Sequence, residues 1–152
     1  MLSLYIHIPF CVKKCHYCSF YSTVYREALA DRFLDALTQE LHGLRDLLRG
    51  RSLNTVYLGG GTPTTLSSHQ LSRLFSLLHT NVSLCHDAEI SVEVNPIADP
   101  KRVFRLFREL GVTRISIGAQ SFSDDVLAFL GRMHRADHVY AAMDGARDAG
   151  FH

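Results

Sequence analysis

Strand-like and helix-like runs alternate four times along this chain, and that alternation constrains the fold more than any other feature. Residues 4–8 read as a first strand. An amphipathic helix follows over 27–49, with Leu29, Phe33, Leu37, Leu41, Leu44 and Leu48 at spacings of three and four. Residues 55–58 make a second strand, which runs into Gly59-Gly60-Gly61. Ser67 and Gln70 form a capping box that opens a helix burying Leu71, Leu74, Phe75 and Leu78. A third strand over 89–94 closes at Asn95-Pro96. Asp99 then caps a helix with Pro100 at its first position; it buries Val103, Leu106, Phe107 and Leu110 and stops at Gly111. A fourth strand over 113–118 leads to helical stretches at 124–130 and 136–149.

This pattern predicts an α/β fold around a parallel sheet. In such sheets functional groups gather in the loops after the carboxyl ends of the strands. The unusual residues fall there: the cysteines after the first strand, the glycines after the second, Glu93 and Asn95 ending the third, and Gln120 after the fourth. A doubly wound dinucleotide-binding sheet would carry Gly-x-Gly-x-x-Gly after its first strand, and this chain does not. The expectation is a partial (β/α) barrel of about four βα units, with all four loops around one mouth. Phe151-His152 then reads as the approach to a fifth strand, and the fourth strand is left with an open edge. Residues 1–152 are therefore expected to be the N-terminal portion of a larger core domain, or to be completed by a partner.

With a formal net charge of +1 and no basic stripe among aromatics, nucleic-acid binding has no electrostatic support. No apolar run is long enough to cross a bilayer, and the N-terminus has no charged n-region or cleavage-like site. A cytoplasmic location is the expectation. Three of the four cysteines lie within eight residues, whereas a disulfide framework would spread them along the chain. Cys85, far from the others, reads as a bystander.

Cys11-x-x-x-Cys15-x-x-Cys18 puts three soft ligands on one short loop. Three thiolates leave one corner of a cubane iron–sulfur cluster without a protein ligand, open to a substrate. The alternative is a closed structural zinc, with His7 or His16 as fourth ligand, in a non-enzymatic zinc-binding module. Lys13 and Lys14 bring positive charge beside the thiolates and would offset a cluster's charge.

Around that loop the sequence resembles a known family. Tyr5-Ile6-His7-Ile8-Pro9-Phe10 before the cysteines, and Tyr17 before the last of them, are similar to the radical S-adenosylmethionine superfamily. More narrowly, Leu58-Gly59-Gly60-Gly61-Thr62-Pro63-Thr64, Glu93-Val94-Asn95-Pro96 and Gly118-Ala119-Gln120-Ser121-Phe122 resemble the oxygen-independent coproporphyrinogen III oxidase group, which includes HemW-type haem chaperones. The resemblance covers essentially the whole chain. It implies a [4Fe-4S] cluster on Cys11, Cys15 and Cys18, and reductive cleavage of S-adenosylmethionine to methionine and a 5′-deoxyadenosyl radical.

The resemblance also implies cofactor contacts from Tyr5, Tyr17, Gly60, Gly61, Thr62, Glu93, Gln120 and Arg132, the arginine facing the methionine carboxylate. Read without it, the glycines let the backbone approach a ligand closely with N–H groups to donate, or simply make a tight strand-to-helix turn, and Glu93 is a solvated strand end. The tyrosines are packing residues, Arg132 a surface residue, and His7 a hydrogen-bonded interior side chain. The oxidase branch carries a further cysteine two positions after the cluster motif, where this chain has Phe20. That departure favours the haem-chaperone branch over coproporphyrinogen oxidation. Haem or porphyrin, a haem-acceptor protein and an electron donor are the partners it implies.

Overall fold

Period-two burial marks the first strand: in β1 (Ser3–Ile8), Ile6 and Ile8 are buried while Tyr5 and His7 face the other way. The computed structural model describes residues 2–96 and 100–152. Two short strands, β2 (Phe10–Cys11) and β3 (Thr23–Val24), pair with each other and close the cysteine loop at its base. Helices α1 (Glu27–Gly43) and α2 (Arg45–Leu48) follow, then β4 (Ser52–Gly60), a 3₁₀ turn at Pro63–Thr65, and α3 (Ser68–Asn81). The chain continues through β5 (Ser83–Val94), α4 (Lys101–Glu109), β6 (Arg114–Ile117), α5 (Asp124–Phe129) and α6 (Ala136–Asp148).

The main sheet is parallel throughout, in the order β1-β4-β5-β6. Along the sheet the strands follow their order in the chain. A doubly wound sheet reverses its strand order at a switch point and covers both faces with helices. Here the order never reverses, and α1, α3, α4 and α6 share one core on one face. Ile6, Ile8, Val56, Leu58, Ile90, Val92 and Val94 from the strands cluster with Leu34, Leu74, Phe75, Phe104 and Phe107 from the helices. Each fully buried side chain of this size is worth about 1.5–3 kcal/mol. The opposite face carries the alternate residues Tyr5, His7, Tyr57, Gly59, Ser91 and Glu93, and it is largely polar. This is the partial barrel that the alternation predicts.

The capping box forms as expected: Ser67 Oγ accepts from the Gln70 N–H, and Gln70 Oε1 accepts from the Ser67 N–H. The buried Gln70 amide also donates to Asp31 at 2.8 Å and accepts from the Tyr25 hydroxyl, which ties α3 to α1.

Other boundaries differ from expectation. The predicted 27–49 helix breaks at Gly43–Leu44, where glycine gives weak helical support, and its buried stripe is Ala30, Leu34, Leu37 and Leu41. β4 and β5 are longer than predicted, because polar residues at their amino ends still join the ladder through Ser52–Ser83 and Leu53–Leu84. In α4 the fully buried residues are Phe104 and Phe107. Pro100 precedes that helix at the cap position, and Asp99 lies outside the described residues.

Candidate functional site

Parallel register brings the carboxyl ends of the four long strands together, with His7 level with Gly59 and Val94 level with Ile117. A cavity of about 420 Å³ opens there. Its lining includes Cys11, Cys15 and Cys18, and also Tyr17, Gly60, Gly61, Thr62, Glu93, Gln120 and Arg132. Tyr5 is the one expected cofactor residue outside this lining; its ring stacks on Tyr57 at 6.0 Å between centroids, and its hydroxyl meets His7 Nδ1.

The glycines fit a requirement for close approach. A Cβ on Gly61 would lie 2.6 Å from the Phe10 carbonyl oxygen and 2.8 Å from that of Ile8. Gly60 has φ of +105°, and a Cβ there would fall 2.5 Å from the His7 ring. The sequence suggests that these backbone N–H groups are free for a ligand. The structure corrects this: Gly61 N–H donates to the Ile8 carbonyl at 2.8 Å, Thr62 N–H to that of Phe10 at 2.7 Å, and Gly60 N–H to Glu93 Oε2 at 3.2 Å. The segment extends the ladder from β4 toward β2, so its N–H groups are spent.

Glu93 is not a solvated strand end. Its carboxylate takes the Gly60 N–H on one oxygen and the Tyr57 hydroxyl on the other, at 2.8 Å. A carboxylate offers about four acceptor sites, so roughly two remain for a ligand. Gly59 makes room: a Cβ there would touch the Glu93 carboxyl at 2.9 Å. Burial raises the Tyr57 pKa above its ordinary value, and the bond to Glu93 raises it further, so the phenol keeps the proton it donates.

Arg132 does not present the open fork that the sequence leads one to expect. Its Nη2 donates to Asn95 Oδ1 at 2.6 Å and to the Gly118 carbonyl at 3.0 Å. Its Nη1 lies 3.5 Å from both Cys15 Sγ and the Tyr17 hydroxyl. What remains is Nε, which is buried and has no partner among the described residues. Gln120 is exposed at the rim with φ of +62°, a conformation that non-glycine residues adopt at a cost. The adjacent Ala119 carbonyl accepts from the Ser121 N–H and from the buried His134 ring.

The sequence does not single out Asn95 or Tyr57 as ligand contacts, yet both hold residues that it does. Asn95 lies in the Glu93-Val94-Asn95-Pro96 stretch but has no contact assigned to it there; Tyr57 carries no motif, and only the register of β4 against β5 sets it beside Glu93. Asn95, Thr62, Cys15 and Arg132 also line a second cavity of about 310 Å³, bounded by Met133 and His138. Cys85 sits near the amino end of β5, whereas the cavity lies at the carboxyl ends of the strands.

The donor set suits an iron–sulfur cluster. All three thiols are free and line one cavity. Among the described residues, no three His, Cys, Asp or Glu side chains are gathered to hold a single metal ion. Neither histidine that could close a zinc shell lines this cavity. His7 Nε2 donates to the Tyr21 carbonyl at 2.8 Å, which leaves Nδ1 to accept from Tyr5. His16 Nδ1 donates to the Phe129 carbonyl at 2.9 Å.

The family model of the Radical SAM superfamily matches residues 5–152. The chain belongs to the radical SAM superfamily. Among curated proteins, this radical SAM chain is 38% identical over 152 residues to the heme chaperone HemW of Bacillus subtilis, covering 99% of this chain and 40% of that protein. It is 41% identical over 151 residues to the oxygen-independent coproporphyrinogen III oxidase of Escherichia coli, covering 99% of this chain and 33% of that one. The solved structure of coproporphyrinogen III oxidase (HemN) from Escherichia coli, described as a radical SAM enzyme, superposes with a TM-score of 0.90 at 41% identity over 98% of this chain and 35% of that chain. The chain thus spans a third to two fifths of the length of these relatives. The family implies a [4Fe-4S] cluster and S-adenosylmethionine. No helix among the described residues is long and apolar enough to cross a membrane.

Proposed function

We propose that this chain holds a [4Fe-4S] cluster on Cys11, Cys15 and Cys18, binds S-adenosylmethionine in the adjoining cavity, and serves the haem-chaperone branch of its family. Its βα units would make up part of a radical SAM core domain. The loaded site would supply one-electron reductive cleavage of S-adenosylmethionine to methionine and a 5′-deoxyadenosyl radical. The free thiols suit a reducing compartment, in keeping with a cytoplasmic location.

The chain's own residues bind and orient. Glu93, held by Tyr57 and Gly60, has acceptor sites left for ribose hydroxyls or an ammonium. The buried Arg132 Nε lacks an acceptor among the described residues, and a ligand carboxylate would provide one. The strained turn at Gln120 presents a side chain that can both donate and accept at the rim. Lys13 and Lys14, also at the cavity, balance negative charge on the thiolates.

The observation that carries the chaperone reading is Phe20. The resemblance puts the oxidases' further cysteine at that position, and here an aromatic ring lines the cavity beside His7. The test is anaerobic reconstitution followed by two assays: haem titration by absorbance, and turnover of coproporphyrinogen III. Haem retention without porphyrinogen turnover is the expected result. Oxidative decarboxylation of the porphyrinogen would overturn the chaperone assignment, and a colourless protein holding one zinc would overturn the cluster.

A further inference from the structure

We propose that Thr62, Asn95 and Arg132 form a one-way string of hydrogen bonds that donates to two of the three cluster thiolates and sets the cluster's reduction potential, with Asn95 as the positioning residue. This rests on the reading above that the thiolates carry an iron–sulfur cluster.

The direction of every bond follows from one end. A guanidinium only donates. Arg132 Nη2 lies 2.6 Å from the Asn95 side chain, so the amide oxygen must face it and the amide nitrogen must face away. That nitrogen, Nδ2, donates to Thr62 Oγ1 at 3.0 Å. The Thr62 hydroxyl, having accepted, keeps its own proton for Cys11 Sγ at 3.7 Å. At the other end Arg132 Nη1 points to Cys15 Sγ at 3.5 Å. Two thiolates are thus supplied by one connected set of donors.

The string is built rather than incidental. Its members come from three separate places: the turn after β4, the end of β5 and the loop after α5. Thr62 is 7% exposed, so water does not compete freely for its hydroxyl. Arg132 is held in addition by the Gly118 carbonyl. Hydrogen bonds to cluster sulfurs favour the reduced, more negative state, and they are among the levers that set such potentials. Asn95 touches neither thiolate; it orients both donors that do.

The test is an EPR-monitored redox titration of the reconstituted protein without S-adenosylmethionine, so that cofactor contacts play no part. Mediator dyes supply the one electron that the cluster accepts, and iron and sulfide are matched between samples. Thr62→Val removes the donor to Cys11 at nearly constant volume, and Asn95→Leu cuts the link. Both should titrate at lower potential than the parent, while Thr62→Ser, which keeps the hydroxyl, should return to the parent value. Equal potentials in the parent, Thr62→Val and Asn95→Leu would overturn the string while leaving the cluster reading intact. A parent protein that takes up no iron and sulfide would overturn the cluster reading itself. If Thr62→Val does not hold a cluster, Asn95→Leu with a full complement decides: a lowered potential supports the string, an unchanged one overturns it.

Discussion

Tyr57 donates its phenolic proton to Glu93 Oε1 at 2.8 Å, across 36 residues of chain. The bond turns a strand-end carboxylate into a fixed acceptor facing the cavity. Without it Glu93 would keep, among the described residues, the Gly60 N–H alone and could rotate. Tyr57→Phe should therefore weaken S-adenosylmethionine binding about tenfold, or about 1.4 kcal/mol, the scale of one hydrogen bond to a charged group. Equilibrium dialysis of the reconstituted protein measures this. An unchanged affinity would remove Glu93 from the binding account.

Position along the strands separates the cysteines. Cys11, Cys15 and Cys18 line the cavity, while Cys85 lies near the amino end of β5. Cys15→Ala should abolish the brown colour of the reconstituted protein and its bound iron. Cys85→Ser should leave both intact. Iron and sulfide analysis beside the visible spectrum distinguishes the two cases.

Two glycines should respond in opposite directions. Gly61→Ala drives a Cβ to within 2.6 Å of backbone oxygen at Phe10, which cannot yield without breaking the ladder. It should cost about 2–4 kcal/mol. Gly43 ends α1, and a Cβ added there would meet nothing within 4 Å, so Gly43→Ala should gain about 0.5–1 kcal/mol through helix propensity. Urea melts of the two variants give the comparison.

Acid should destabilise the fold through His134. Burial holds its pKa below the ordinary 6.5; the bond to the Ala119 carbonyl opposes this, while the charges of Arg132 and His138 add to it. The unfolded chain then takes up a proton that the folded one refuses. The stability His134 contributes is present above pH 6.5 and is lost as pH falls below that value. Denaturant melts from about pH 7.5 down to about pH 5 should show the loss, and His134→Gln should flatten it.

S-adenosylmethionine should alter the EPR spectrum of the reduced cluster, because three protein thiolates leave one metal corner for it. An identical spectrum with and without the cofactor would place the ligand elsewhere.

What local sequence could announce, it announced. The capping box of Ser67 and Gln70 lies within one helical turn, and the three cysteines within one loop, so spacing alone brings each set together. Strand and helix periods mark the four βα units, because side-chain alternation reflects burial directly. Gly60 and Gly61 are legible as positions that need no side chain, although not as a segment packed against Phe10 and His7 with its N–H groups already bonded.

The chain itself therefore determined the kind of fold, the gathering of three soft ligands, Cys11, Cys15 and Cys18, on one loop, and the end of the sheet where the unusual residues collect. Tertiary structure alone decided who holds whom. Whether Arg132 offers an open fork or spends its nitrogens on Asn95, Gly118 and Cys15 depends on side chains and backbone from 14 to 117 residues away. Hydrogen bonds act over about 3 Å, and only strand register and loop closure bring such distant groups within that range.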